Sequence, residues 1–271
     1  MKYATYINGS VVAPHEVDAW ERKRILIVAK KLGAKIDADN PDVDSLSKQL
    51  AAYKLSLGYE KIIRRLGAGL SASSASAQLM TYASFGRRKI SVTEMVVEGM
   101  SSDEVVKGID ALMFEASEEH DAVNIGACPD HYALRQLDNG RLEVVETTGG
   151  SPFPIQFFIE YGSEVGLTVP RDAAFPHQSA GIARLGNGKI IGGVRHQFRD
   201  EENGFRVRLA VEFPWLTPGY FIRHHQLHLA CEFTHWFRWL IDRKQHANRV
   251  DGQPFAAGAT TLTAGGNKVR A

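Results

Sequence analysis

Long apolar runs are missing from this sequence. No stretch approaches the roughly 18 consecutive apolar residues that a membrane helix needs, so a membrane-spanning class is excluded at the outset. Cysteine is almost absent as well. Cys128 and Cys231 are the only two in 271 residues, too few for a disulfide framework and able at most to supply a metal ligand or a reactive thiol. The N-terminus, MKYATYINGSVVAPHE, lacks the apolar segment of a secretory signal, and a cytoplasmic protein is expected. No internal repeat is visible. With 44% hydrophobic and 23% charged residues, disorder, collagen-like repeats and coiled coil are disfavoured.

Net charge is only +1, but it is unevenly spread. Residues 1–90 hold 15 Lys/Arg and 8 Asp/Glu, a net of +7; residues 91–271 hold 17 and 23, a net of −6. A basic segment of this size can meet nucleic acid or an anionic surface. It lacks the aromatic interleaving of a single-strand-binding surface. The expectation is therefore a basic accessory segment packed on an acidic domain of its own chain or of a second subunit, with neither nucleic acid nor membrane as partner.

The first 66 residues read as helical after a short lead-in. Trp20, Ile25, Val28, Ala29 and Leu32 recur at helical spacing up to Gly33, a plausible stop, and a second helix starts near Asp44. The small, Ser-rich stretch GAGLSASSASA (67–77) reads as a linker or loop. From Lys89 the texture turns to strands. ISVTEMVVEG is extended, Ser101 to Glu104 offers a cap for a helix over 102–116, and short extended runs follow at 132–137, 141–147 and 154–161. In GFRVRLAVEFP, Phe205, Val207, Leu209, Val211 and Phe213 alternate with polar or small residues, which marks a half-buried antiparallel strand. A long helix is expected over about 219–242. At 100° per residue it gathers Phe221, His225, His228, Glu232, His235 and Trp239 in one arc and turns Arg223, Thr234 and Arg238 away. A curved antiparallel sheet gripping this helix is the α+β arrangement that fits, with an accessory segment 1–88, a core domain 89–245 and a flexible tail 246–271.

Nine of the ten histidines lie between residues 120 and 246. The sharpest unit is His228-x-x-x-Glu232, which puts an imidazole and a carboxylate one turn apart on one helix face. A structural His–Glu hydrogen bond would use the same spacing. On an inward stripe, however, a carboxylate without a partner is costly, and a metal ion neutralises it. CPDHY supplies His131; Cys128 has no second cysteine at ligand spacing and is set aside. The further carboxylate is Glu146 or Glu160, each on a strand. Two His and two carboxylates suit zinc best, with iron or manganese as alternatives. His196, on the apolar face of a strand that looks toward the helix, is placed either as a core histidine or as a proton carrier.

These motifs, in order, resemble the zinc-dependent hydrolases of 2,4-diacetylphloroglucinol and phloretin. The series runs over roughly 91–242: GMSSDEV, then PDH, then Glu146-Thr-Thr-Gly-Gly, then GGVRHQFRD, then HLACEF. The resemblance implies a helix-grip (Bet v 1-like) domain with Zn2+ on His131, Glu146, His228 and Glu232 and proton transfer by His196. It implies hydrolysis of the carbon–carbon bond between a phenolic ring and an acyl group of an aromatic ketone, in a homo-oligomer such as a dimer. Glu146 is preferred over Glu160 because it stands two threonines before the Gly-Gly pair and 50 residues before His196, a family-like distance. The region before the first ligand, HDAVNIGACPDH, departs from the family pattern where phenolic oxygens are bound, and residues 1–90 carry no match. Two other classes fit the same residues: a metal-free lipid or polyketide binding module, and a polyketide cyclase or isomerase.

Overall fold

The computed structural model describes residues 1–251. The fold is α+β: a nine-stranded antiparallel sheet, a long C-terminal helix packed against it, and helices at the N-terminus. A hairpin, β1 (Tyr3–Ile7) and β2 (Ser10–Val12), precedes three helices, α1 (Pro14–Leu32), α2 (Val43–Leu57) and α3 (Tyr59–Ala83). Then come β3 (Arg88–Glu98), α4 (Ser102–Phe114) and α5 (Glu118–Gly126). Six strands follow: β4 (His131–Gln136), β5 (Leu142–Glu146), β6 (Ile155–Tyr161), β7 (His177–Arg184), β8 (Ile190–Glu201) and β9 (Gly204–Pro214). The last described element is α6 (Gly219–Asp251). Strand order across the sheet is β2-β1-β3-β9-β8-β7-β6-β5-β4.

Local signals set several boundaries. Pro14 opens α1, where a missing N–H costs nothing. Gly33 closes it in the left-handed region (φ 71°), with its N–H on the carbonyls of Ala29 and Lys30. Ser101 and Glu104 form a reciprocal capping box on α4. The main core lies between one sheet face, α4 and α6, and includes Met95, Leu142, Val144, Val207, Phe233 and Phe237. A second cluster packs α1, α2 and α3 on the opposite face of β4 and β5, through Leu32, Leu46, Leu50, Tyr132, Ala133 and Val145. That second layer is why every residue of β5 is buried, Glu143 and Glu146 included.

The structure corrects the sequence reading at four places. Residues 3–12 are strands that extend the sheet beside β3 rather than an irregular lead-in. The Ser-rich stretch 67–77 is not a linker but the middle of α3. Leu66, Leu70 and Ala77 are buried there, and Gly69 packs so closely on Pro154 that an added Cβ would lie 3.0 Å from its Cδ. Thr234 is buried, not turned to solvent, because α1 covers the far side of α6 through Val17 and Trp20. Residues 246–251 continue α6 rather than starting a tail; residues 252–271 lie outside the described residues. Among the described residues, no helix is long and apolar enough to cross a membrane.

Candidate metal centre

His131 and Glu146 face each other directly across the β4–β5 ladder. Strict alternation from Leu134, a cavity residue, would send Tyr132 inward and His131 outward. A bulge between His131 and Ala133 reverses this. The extra residue, Tyr132, goes with Ala133 into the outer cluster, and the His131 ring turns the other way, toward His228 and Glu232. Across the cavity α6 presents His228 and Glu232, one turn apart. His131 Nε2 lies 3.1 Å from His228 Nε2 and 3.4 Å from Glu232 Oε1. His228 Nε2 lies 3.8 Å from both Glu146 Oε2 and Glu232 Oε2. Four side chains expected as ligands from the sequence thus converge. Glu160 does not: it pairs with Arg184 (2.9 Å) away from the cluster.

The surrounding bonds orient both imidazoles. His131 Nδ1 is 2.9 Å from the Asn124 carbonyl, so this nitrogen carries the proton and Nε2 keeps its lone pair for the cluster. Cys128 Sγ lies 3.7 Å from His228 Nδ1, the nitrogen facing away from His131. Cys128, His131 and His228 form a buried group able to hold a metal ion. Thr148 donates to Glu146 Oε1 at 2.8 Å. The Gly pair after Glu146 permits this approach: Gly149 sits at φ 56°, and a Cβ there would come within 2.2 Å of the Phe221 carbonyl oxygen.

Electrostatically the cluster is short of positive charge. Burial pushes the Glu146 carboxyl up to about 7, and burial together with Glu146 pushes Glu232 well above the usual carboxylate range. Burial brings His131 down to about 3, and burial and the neighbouring His131 hold His228 far below an ordinary imidazole. The nearest basic side chains work outside the cluster. Arg24 of α1 binds Asp130 through two 2.7 Å hydrogen bonds, and Lys54 of α2 points its ammonium at backbone carbonyls. Two buried carboxyl groups and two neutral imidazoles, that of His131 with its Nε2 lone pair turned inward, are groups able to hold a divalent cation. Donors at tetrahedral corners about 2.0–2.1 Å from zinc lie about 3.4 Å apart, within the 3.1–3.8 Å range of the four contacts above.

Glu146, His228 and Glu232, with His131 buried behind them, lie on the wall of a cavity of about 410 Å³. Apolar side chains such as Leu134, Val144, Ile159, Val194, Leu229 and Phe233 make most of its surface. Helix α3 lines one side with Ala72, Ser73, Ser76, Ala77 and Met80, so the N-terminal segment covers the cavity within the same chain. His196 of β8 also lines it. Its ring packs edge-on against Phe233 (centroids 5.2 Å), its Nδ1 is buried without a partner, and burial lowers it to about 4.

The sequence reading set Cys128 aside as a ligand, whereas it lies with His131 and His228 in a buried group able to hold a metal ion, and it gave no role to His225, Asn124 or Lys54. His225 lines the cavity, stacks on His228 (centroids 5.5 Å) and meets Ser91 Oγ at 3.0 Å. Its place in the inward arc of α6 was the available signal. Of the others expected on that arc, Trp239 packs against the main core at its edge, and His235 turns toward α1. His235 Nε2 contacts Glu21 of α1 at 3.0 Å, which with Cys231 makes a second, partly buried group between α1 and α6, and Trp239 also packs on His120. No model of a known protein family matches the chain, and no curated protein is significantly similar to it.

Proposed function

We propose that residues 89–245 form a helix-grip domain and that the protein is a zinc-dependent hydrolase of aromatic ketones, cleaving the carbon–carbon bond between a phenolic ring and its acyl group. The order of elements supports the fold assignment: one strand, two helices, six strands and a long helix that closes on the sheet. One observation carries the activity: Glu146, His228 and Glu232, on the wall of a largely apolar cavity, meet each other and the buried His131 behind them. These four residues would hold the ion. When bound, it supplies Lewis acidity toward oxygen and water.

The overall reaction consumes one water and yields a ring C–H and a carboxylic acid. An aryl carbanion is a poor leaving group, so the ring carbon must be protonated as the bond breaks. His196 is the proton carrier: its imidazole takes the proton that the attacking water gives up and passes it to the ring carbon. Its imidazole is neutral at pH 7, its Nδ1 is enclosed, and Nε2 is the nitrogen left to face a ligand. The apolar walls hold the ring and exclude bulk water, which strengthens each polar interaction in the site. Thr148 and the β4–β5 pairing hold Glu146, and Asn124 holds His131.

The test combines elemental analysis with product analysis on a phloretin- or acylphloroglucinol-like ketone. About one zinc per chain and release of a carboxylic acid are expected. Metal without acid release would point to a cyclase or isomerase. Absence of both would leave the cavity as a binding module.

A further inference from the structure

We propose that Lys54, carried by the N-terminal helical layer, is a positioning residue for His131: it holds the bulged register that puts this histidine into the metal centre. The proposal rests on the metal reading above for its consequence, though not for its geometry. Lys54 is fully buried, with 2% of its surface exposed. Its Nζ lies 2.7 Å from the carbonyl oxygens of both Pro129 and His131, 3.4 Å from that of Cys128 and 3.5 Å from that of Ile125. Among the described residues no carboxylate touches it; Asp130, in the same loop, is taken up by Arg24.

Burying an ammonium is expensive, and its neighbours Leu50 and Tyr132 would accept an apolar side chain. What the ammonium does that a methyl group cannot is bind carbonyls. It converges on the loop 125–131, which leads into the β4 bulge. A bulge interrupts the ladder and leaves backbone groups without strand partners. The His131 carbonyl turns outward to Lys54 while the His131 ring turns inward, with Nδ1 on Asn124 and Nε2 3.1 Å from His228. Backbone and ring are therefore fixed from opposite sides of the sheet.

The competing register is the ordinary one. Without the bulge, alternation carries His131 outward into the cluster formed with α2 and puts Tyr132 into the cavity. That register would bury an imidazole among Leu46, Leu50 and Ile62. It would also lose the carbonyl contacts of Lys54. Lys54 thus selects between two placements of one metal ligand. The N-terminal segment is more than a cover over the cavity, since it sets the geometry of the centre itself.

The experiment compares Lys54→Met with Leu50→Ala in the full chain. Leu50 is buried one turn earlier on α2, so its truncation loosens the same helix without touching the carbonyls. Two quantities are read: zinc Kd by competition with a chromophoric chelator, and the His131 imidazole tautomer by nitrogen-15 NMR. Lys54→Met should weaken zinc about 10- to 100-fold, as loss of a group that orients a ligand does. It should also abolish the single Nδ1–H tautomer signal of His131. Leu50→Ala should keep both in its folded fraction. If Lys54→Met fails to fold, Lys54→Gln, which retains two N–H donors, is read in its place, with weakened zinc and a mixed His131 signal expected. Zinc affinity within about threefold of the parent, well short of that range, together with an unchanged His131 tautomer, overturns the proposal. Should the parent bind no zinc, the metal reading fails, and the His131 tautomer alone decides the role of Lys54.

Discussion

Arg24→Met removes one half of a fully enclosed ion pair, and its cost follows from the geometry. Arg24 is 5% exposed and Asp130 is 0% exposed, and they share two hydrogen bonds of 2.7 Å. Met keeps most of the packing volume, so the loss is chiefly electrostatic. The variant leaves Asp130 buried in the loop that carries His131, with Lys54 directed at carbonyls instead. Breaking a buried pair from one side costs about 3–5 kcal/mol. For a chain of this size that is a fall in Tm of roughly 6–20 °C. Burial already pushes the Asp130 carboxyl up against the pull of Arg24, and without Arg24 it rises further. A carboxyl raised on folding destabilises only where the unfolded chain would ionise. The deficit therefore grows as pH rises past about 3.9 and is complete above the folded value. Urea titrations at pH 4.5 and pH 7 measure both effects, with the larger deficit expected at pH 7. The double variant Arg24→Met/Asp130→Leu should recover most of the loss, because an apolar pair needs no compensation. A single variant within about 1 kcal/mol of the parent at pH 7, far below the range for a broken buried pair, would refute the reasoning.

Other outcomes follow from the same geometry. His228→Ala should lose bound zinc and activity together, measured by elemental analysis and turnover, because the remaining ligands hold the ion less well. His196→Ala should keep full zinc while turnover falls about 100- to 10,000-fold, the range for loss of a positioned acid or base; full zinc with near-parental turnover would make His196 structural. His196 also predicts a pH effect. Its folded value is lowered to about 4, so its contribution is complete above pH 6.5 and is lost as pH falls from 6.5 toward 4. Between pH 7 and pH 4.5 the stability loss of His196→Phe should be smaller than the parent's by about 2–3 kcal/mol in chemical denaturation. Gly149→Ala should destabilise by at least about 1–3 kcal/mol, from positive φ alone, and weaken zinc by displacing Thr148 from Glu146, read by denaturation and chelator competition.

Some of this protein was legible from residue order alone, because the signals were local. The i, i+4 spacing of His228 and Glu232, the caps at Gly33 and Ser101, and the alternation through β9 each depend on helix or strand geometry within a few residues. Alternation by itself, though, would have sent His131 to the wrong face. Its entry into the cluster depends on a one-residue bulge held by carbonyl contacts to Lys54, 77 positions away in sequence. Cross-strand register likewise places Glu146, and not Glu160, opposite His131, while Arg184 takes up Glu160. Residues 67–77 have weak intrinsic helix preference and looked like a linker. They become helix because burying Leu66, Leu70 and Ala77, with Gly69 set close against Pro154, outweighs that preference. Composition recorded the basic excess of residues 1–90 without saying where it goes. Packing directs Arg24 and Lys54 onto the loop that carries His131, since only a folded chain brings a buried cation to carbonyls and a carboxylate so distant in sequence.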